Sequence, residues 1–207
     1  MLKRTKSFAL LLLLVITGLA SQVATTTLTN KERAFAINHL KESKETLLKS
    51  VKGLSPAQLT FKPAPDQWSI QECLAHIALS EEGLWNMTAA TLKQAANPDK
   101  RADIKTTDAQ LVAMITSRDH KAQAAEALQP SKGEWKTAES ILKHFKEQRQ
   151  KTIKYMKTST EDFRSHVTQL PFGALDAYQL VLLLSAHTAR HTAQIAEVKA
   201  HPAFPKS

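Results

Sequence analysis

A single cysteine, Cys73, stands among 207 residues. An internal disulfide is therefore excluded, and the fold must rest on its core. Glycine is scarce, with five in all, and aromatic residues make up only 6%. That composition argues against β-rich and collagen-like chains. No stretch alternates apolar and polar residues over a useful length, and neither an internal repeat nor a low-complexity tract follows the first twenty residues. The formal charge of +9 is spread over lysines on helix faces, as at Lys41/Lys44 and Lys143/Lys146. Without basic clusters interleaved with aromatics it predicts no nucleic-acid partner, only solubility and some attraction to anionic surfaces.

What is present begins with a targeting segment. Lys3, Arg4 and Lys6 form a basic start, Phe8–Ala20 is almost wholly apolar, and Gly18 and Ala20 are small. This pattern predicts a secretory signal peptide over residues 1–20, and hence an exported, periplasmic or secreted chain. An uncleaved N-terminal anchor is the alternative, but the run is short for a membrane span, so no stable insertion is expected once it is removed. No cysteine follows the run to accept a lipid. Three of the nine surplus charges fall in this segment, leaving six beyond it.

The rest reads as helix. Residues 21–29 form a short linker, 30–200 one helical domain, and 201–207 a tail. Thr29 with Glu32 has capping-box spacing and opens a first helix from Asn30 to about Lys52, ended by Gly53 and Pro56. Its apolar stripe is Ile37, Leu40, Leu47, Leu48 and Val51. A proline-rich loop follows. Ser69 with Glu72 opens a second helix to about Ala96, with Trp68 and Cys73 at the staple positions. Thr107 with Gln110 opens a third segment, through Leu128, that fits an extra helix inside a long crossover. Thr137 opens a fourth, with Ile141, Phe145, Thr152, Tyr155 and Met156 inward. Pro171 and Gly173 mark a break, and Asp176 with Gln179 opens the last, to about Lys199. Four of these helices are long enough for an all-α four-helix bundle.

Eight histidines are present. His39, His120, His166 and His201 lack a partner at ligand spacing. His187 and His191 lie one helical turn apart on the stripe of Leu180, Leu183, Leu184 and Val198, so both imidazoles face inward. Buried imidazoles need polar partners. His76, about two turns into the second helix, reaches the same height if that helix and the last run antiparallel. Two readings stay open at this point: one divalent metal, or a polar core cluster with each ring hydrogen-bonded. Thr188 stands where a zincin carries glutamate, which disfavours that peptidase class.

The stretch LSPAQLTFKPAPDQWSIQECLAHIALSEEGLW, residues 54–85, resembles the DinB-like family, with Trp68, Ser69 and Ile70 leading to His76. AHTARHTAQI resembles that family's last helix, and Phe145 and Arg149 fit its third bundle helix. The likeness spans about residues 30–200. It implies an up-down-down-up bundle with a long crossover between its second and third helices. It also implies one divalent ion, zinc or nickel, on His76, His187 and His191. Relatives include thiol transferases and a thiol-dependent isomerase working with cytosolic thiols; the export signal separates this chain from them.

Three neutral imidazoles leave open coordination positions, as in catalytic rather than structural sites. Glu81 points away on its helix, and Glu72 is claimed by the cap. Gln194 could orient a ligand, and Arg149 could hold an anion or be solvated. Cys73 reads as a packed core thiol more than a fourth ligand, and Trp85 and Tyr155 as core or pocket wall. Two functions remain: a metal-dependent hydrolase or transferase for a small molecule, or a non-catalytic metal- or ligand-binding module. A homodimer is compatible with either.

Overall fold

A computed structural model describes residues 27–119 and 123–206. The signal-peptide reading of residues 1–20, most of the linker, His120 and Ser207 lie outside the described residues. No described helix is long and apolar enough to cross a membrane.

Four long helices make the bundle: α1 (Asn30–Val51), α3 (Ile70–Lys93), α5 (Ala138–Thr158) and α6 (Ala177–Lys199). Two short ones, α2 (Pro56–Thr60) and α4 (Asp108–Thr116), lie in the connections. Their starts are set by side chains that satisfy orphan N–H groups. Thr29, Ser69, Thr107 and Thr137 all form reciprocal capping boxes. Asp176 accepts the Gln179 N–H at 2.8 Å to start α6. Gly53 takes φ +76 just past α1, a conformation that suits glycine.

Contacts along the helices fix their directions. Tyr178 Oη donates to the Glu32 carbonyl near the starts of α6 and α1, and Lys199 Nζ donates to the Ser50 carbonyl near their ends. These two helices are parallel. Arg33 reaches the Met156 carbonyl while Arg149 reaches that of Leu40, so α1 and α5 are antiparallel. Trp85 meets Tyr155 and Glu81 meets Arg149, which makes α3 and α5 parallel. His76 faces His187, whereas Leu84 packs against the cluster of Leu180 and Leu183, so α3 and α6 are antiparallel. The result is the expected up-down-down-up bundle. α1 stands diagonal to α3, and the α3–α6 pair forms the side opposite α1–α5.

Besides the cluster of Leu180 and Leu183, two larger apolar clusters fill the interior. Leu74, Ile77, Ile141, Phe145 and Ile195 pack near the start of α3, and Leu40, Met156, Phe163, Tyr178 and Val181 near its end. Each fully buried side chain of this size contributes roughly 1.5–3 kcal/mol.

The connections depart from the sequence reading in three places. The third segment is helical only to Thr116, not to Leu128. Ser117 Oγ both donates to the Asp119 carboxylate and accepts the Asp119 N–H, a local turn that competes with continuing the helix. Single 3₁₀ turns follow at Glu126–Leu128 and Pro130–Lys132. The loop after Gly53 carries α2, opened by Ser55 with Gln58. A hairpin, β1 (Val167–Leu170) with β2 (Gly173–Asp176), occupies the break at Pro171. Four residues are too few to show alternation. In β2 three successive residues are buried, because the strand runs directly into the start of α6.

Candidate metal centre

The capping box at Ser69 fixes where α3 begins, and so places His76 two turns in, facing α6. On α6 the four-residue spacing stacks His187 and His191 on one face. The three rings converge. His76 Nε2 lies 3.3 Å from His187 Nε2, and His191 Nε2 lies 3.2 Å from it. His76 and His191 are buried, and His187 is half-buried. These are the three residues among those described whose donor atoms cluster closely enough to hold a metal ion.

The far sides of the rings decide their chemistry. His76 Nδ1 donates to the Leu128 carbonyl at 2.7 Å, and His191 Nδ1 donates to Gln194 Oε1 at 2.8 Å. A carbonyl oxygen can only accept, so these two rings carry their protons on Nδ1 and present bare lone pairs on Nε2. His187 Nε2 can donate to one of them at most. At least one of the two close contacts therefore sets lone pair against lone pair, an arrangement that a cation resolves. The separations also match neighbouring donors on a tetrahedral ion bonded at about 2.0–2.1 Å, which stand about 3.3 Å apart. The residues fit a divalent metal.

Burial pushes all three imidazoles below their ordinary range, His191 to about 3, and mutual repulsion lowers His187 and His191 further. They are neutral near pH 7, as ligands must be. Among the described residues, none of the three is hydrogen-bonded to a carboxylate. Trp68, just ahead of the Ser69 cap, lies 4.8 Å from the His76 ring and 6.1 Å from that of His191, and covers one side.

Gln194 orients His191. Cys73 is fully buried in the apolar cluster, its thiol pushed up to about 12 by burial, so it is a core residue outside the histidine cluster. Trp85 and Tyr155 are half-buried and pack edge to face on each other against the cluster of Leu40 and Met156. Arg149 is neither solvated nor free to hold an anion. It is fully buried and bonded twice to Glu81 at 2.7 Å, and also to the Leu40 carbonyl, Ser43 and Thr188. Glu81 does point away from the histidines, toward this arginine. Sequence reasoning missed the Leu128 carbonyl, because a backbone group in a connection leaves no residue signature. It also missed the stacking role of Trp68, although the staple position marked that residue as fixed.

An up-down-down-up bundle with one inward three-histidine cluster between its second and last long helices defines the class. The chain belongs to the DinB superfamily, whose family model matches residues 39–195. It is similar to YuaE of Bacillus subtilis (strain 168), a protein named as uncharacterized, with 27% identity over 154 residues, 72% of this chain and 88% of YuaE. Its fold is similar to that of YfiT from Bacillus subtilis, with TM-score 0.57 and 17% identity over 87% of this chain and 93% of YfiT. YfiT is described as "a probable metal-dependent hydrolase with an unusual four-helix bundle topology".

Proposed function

We propose that this chain is a metal-dependent enzyme of hydrolase type. It holds one divalent ion, zinc or nickel, on His76, His187 and His191, and acts on a small molecule outside the cytosol. The observation that carries the reading is the convergence of three Nε2 atoms, two of them with lone pairs fixed by their Nδ1 partners. The description of YfiT supports the reaction class. The basic and apolar N-terminal segment supports export.

A divalent ion on three neutral imidazoles would keep its full positive charge, polarise a substrate oxygen and acidify water. The chain's own residues supply the frame. Leu128 and Gln194 hold two rings in orientation, which is what keeps ligand basicity and geometry fixed. Trp68 shields one side from solvent, and the half-buried His187 marks the side open to substrate. Among the described residues no carboxylate is hydrogen-bonded to the histidines, and the reading leaves proton transfer to the substrate or to solvent. That same absence favours a second reading, a non-catalytic metal- or ligand-binding module.

Turnover of a panel of small esters, amides and phosphoesters separates the two. The full chain loaded with zinc or nickel should hydrolyse at least one class, and both chelation and His187→Ala should abolish it. A metal-loaded protein inert across the panel would leave the binding module.

A further inference from the structure

Charge is divided unequally between the two pairs of long helices. α1 and α5 carry nine lysines and Arg33 against five glutamates, a net of +5, leaving aside the buried Arg149. α3 and α6 carry Lys93, Lys199 and Arg190 against Glu72, Glu82 and Glu197, a net of zero, leaving aside Glu81, the partner of Arg149. A groove of about 490 Å³ runs between α1 and α5, lined by Lys44, Leu48, Lys146, Glu147, Gln150 and Lys151. Among the described residues, none of its three lysines forms an ion pair. Lys62, Lys100 and Lys132, elsewhere on the surface, each have an acidic partner. Unpaired like charges held side by side repel one another, and an anionic surface relieves that repulsion.

We propose that the α1–α5 face docks on the anionic phosphate headgroups of a lipid bilayer. Two antiparallel helices of 22 and 21 residues give a rod-like platform about 30 Å long, suited to an extended plane of charge. The charges are lysines, whose stems lie along apolar surface while the ammonium reaches outward. Arg33, the one exposed-face arginine, is tied to the Met156 carbonyl. Forked arginine contacts and stacking aromatics, the marks of nucleic-acid recognition, are missing here: the one large exposed aromatic on these helices, Phe35, is tilted against the His39 ring. The histidine cluster lies between α3 and α6, on the opposite side. A molecule docked this way keeps its site turned to solvent.

Vesicle co-sedimentation of the full chain tests the proposal, with phosphatidylcholine alone against phosphatidylcholine mixed with phosphatidylglycerol. The chain should prefer the anionic vesicles, and added salt should release it. In K44Q/K146Q/K151Q the affinity for anionic vesicles should fall about tenfold or more, while K93Q/K100Q should leave it unchanged. Three results would overturn the proposal: equal binding to both vesicle types, binding indifferent to the triple substitution, or tighter binding to duplex DNA than to anionic vesicles at the same salt. Binding through the apolar N-terminal run alone would show as the first or second of these.

Discussion

At the scale of single residues, the candidate centre depends on which ring nitrogen carries the proton. His191 presents its Nε2 lone pair because Gln194 takes the Nδ1 proton. Gln194→Leu removes that acceptor and should weaken metal binding about 10–100-fold, read by chelator competition. Gln194→Glu, which still accepts, should restore it. Equal affinity in the leucine variant would remove Gln194 from the account. Burial of the imidazoles also makes stability pH-dependent. In the unfolded chain they protonate near 6.5, whereas burial holds all three below that in the folded protein, His187 well below it and His191 at about 3. Acid therefore protonates the unfolded chain first. Their contribution to the metal-free protein is complete above about pH 6.5 and is lost as pH falls from there toward about 3. Urea midpoints of metal-free protein should drop over this window, and drop less steeply in His191→Gln. Parallel profiles would contradict this. The inward position of the pair is legible in sequence, because four-residue spacing on a leucine stripe fixes where both side chains point. The proton positions are not, because they depend on a carbonyl at Leu128, 52 residues beyond His76.

At the scale of elements, one ion pair ties the bundle together just below the histidines. Arg149 on α5 bonds Glu81 on α3, Ser43 and the Leu40 carbonyl on α1, and Thr188 on α6, next to His187. All four long helices therefore meet at one fully buried guanidinium. Arg149→Ala leaves Glu81 buried without a partner and should cost about 3–5 kcal/mol in urea denaturation, whereas the paired change Arg149→Met with Glu81→Leu should cost little. A small loss in the single variant would mean that water or another group already compensates Glu81. Neither residue announces this in sequence. Each alone looks like a solvated helix charge, and 68 residues separate them. The helix starts were legible, because Thr29, Ser69, Thr107 and Thr137 each stand three residues before a side chain that can reach back. The end of α4 was not, since a serine and an aspartate two residues apart had to be weighed against a continuing apolar pattern.

For the whole molecule, the long crossover does more than connect. It lets α3 and α5 run parallel, which leaves α3 antiparallel to α6 and so brings a ligand near the start of one helix level with a pair near the end of the other. It also returns along the start of α3, where Leu128 meets His76 and packs beside Gly83. The same arrangement puts the lysine-rich helices on one side of the bundle and the histidines on the other. The central claim is that these three histidines form one metal site. Elemental analysis of the purified full chain beside His76→Ala and His187→Ala tests it most directly. The account predicts about one zinc or nickel per wild-type chain and substoichiometric metal in both variants at unchanged helix content. Equal metal in all three proteins, or no metal retained by a wild type offered zinc and nickel in solution, would contradict it.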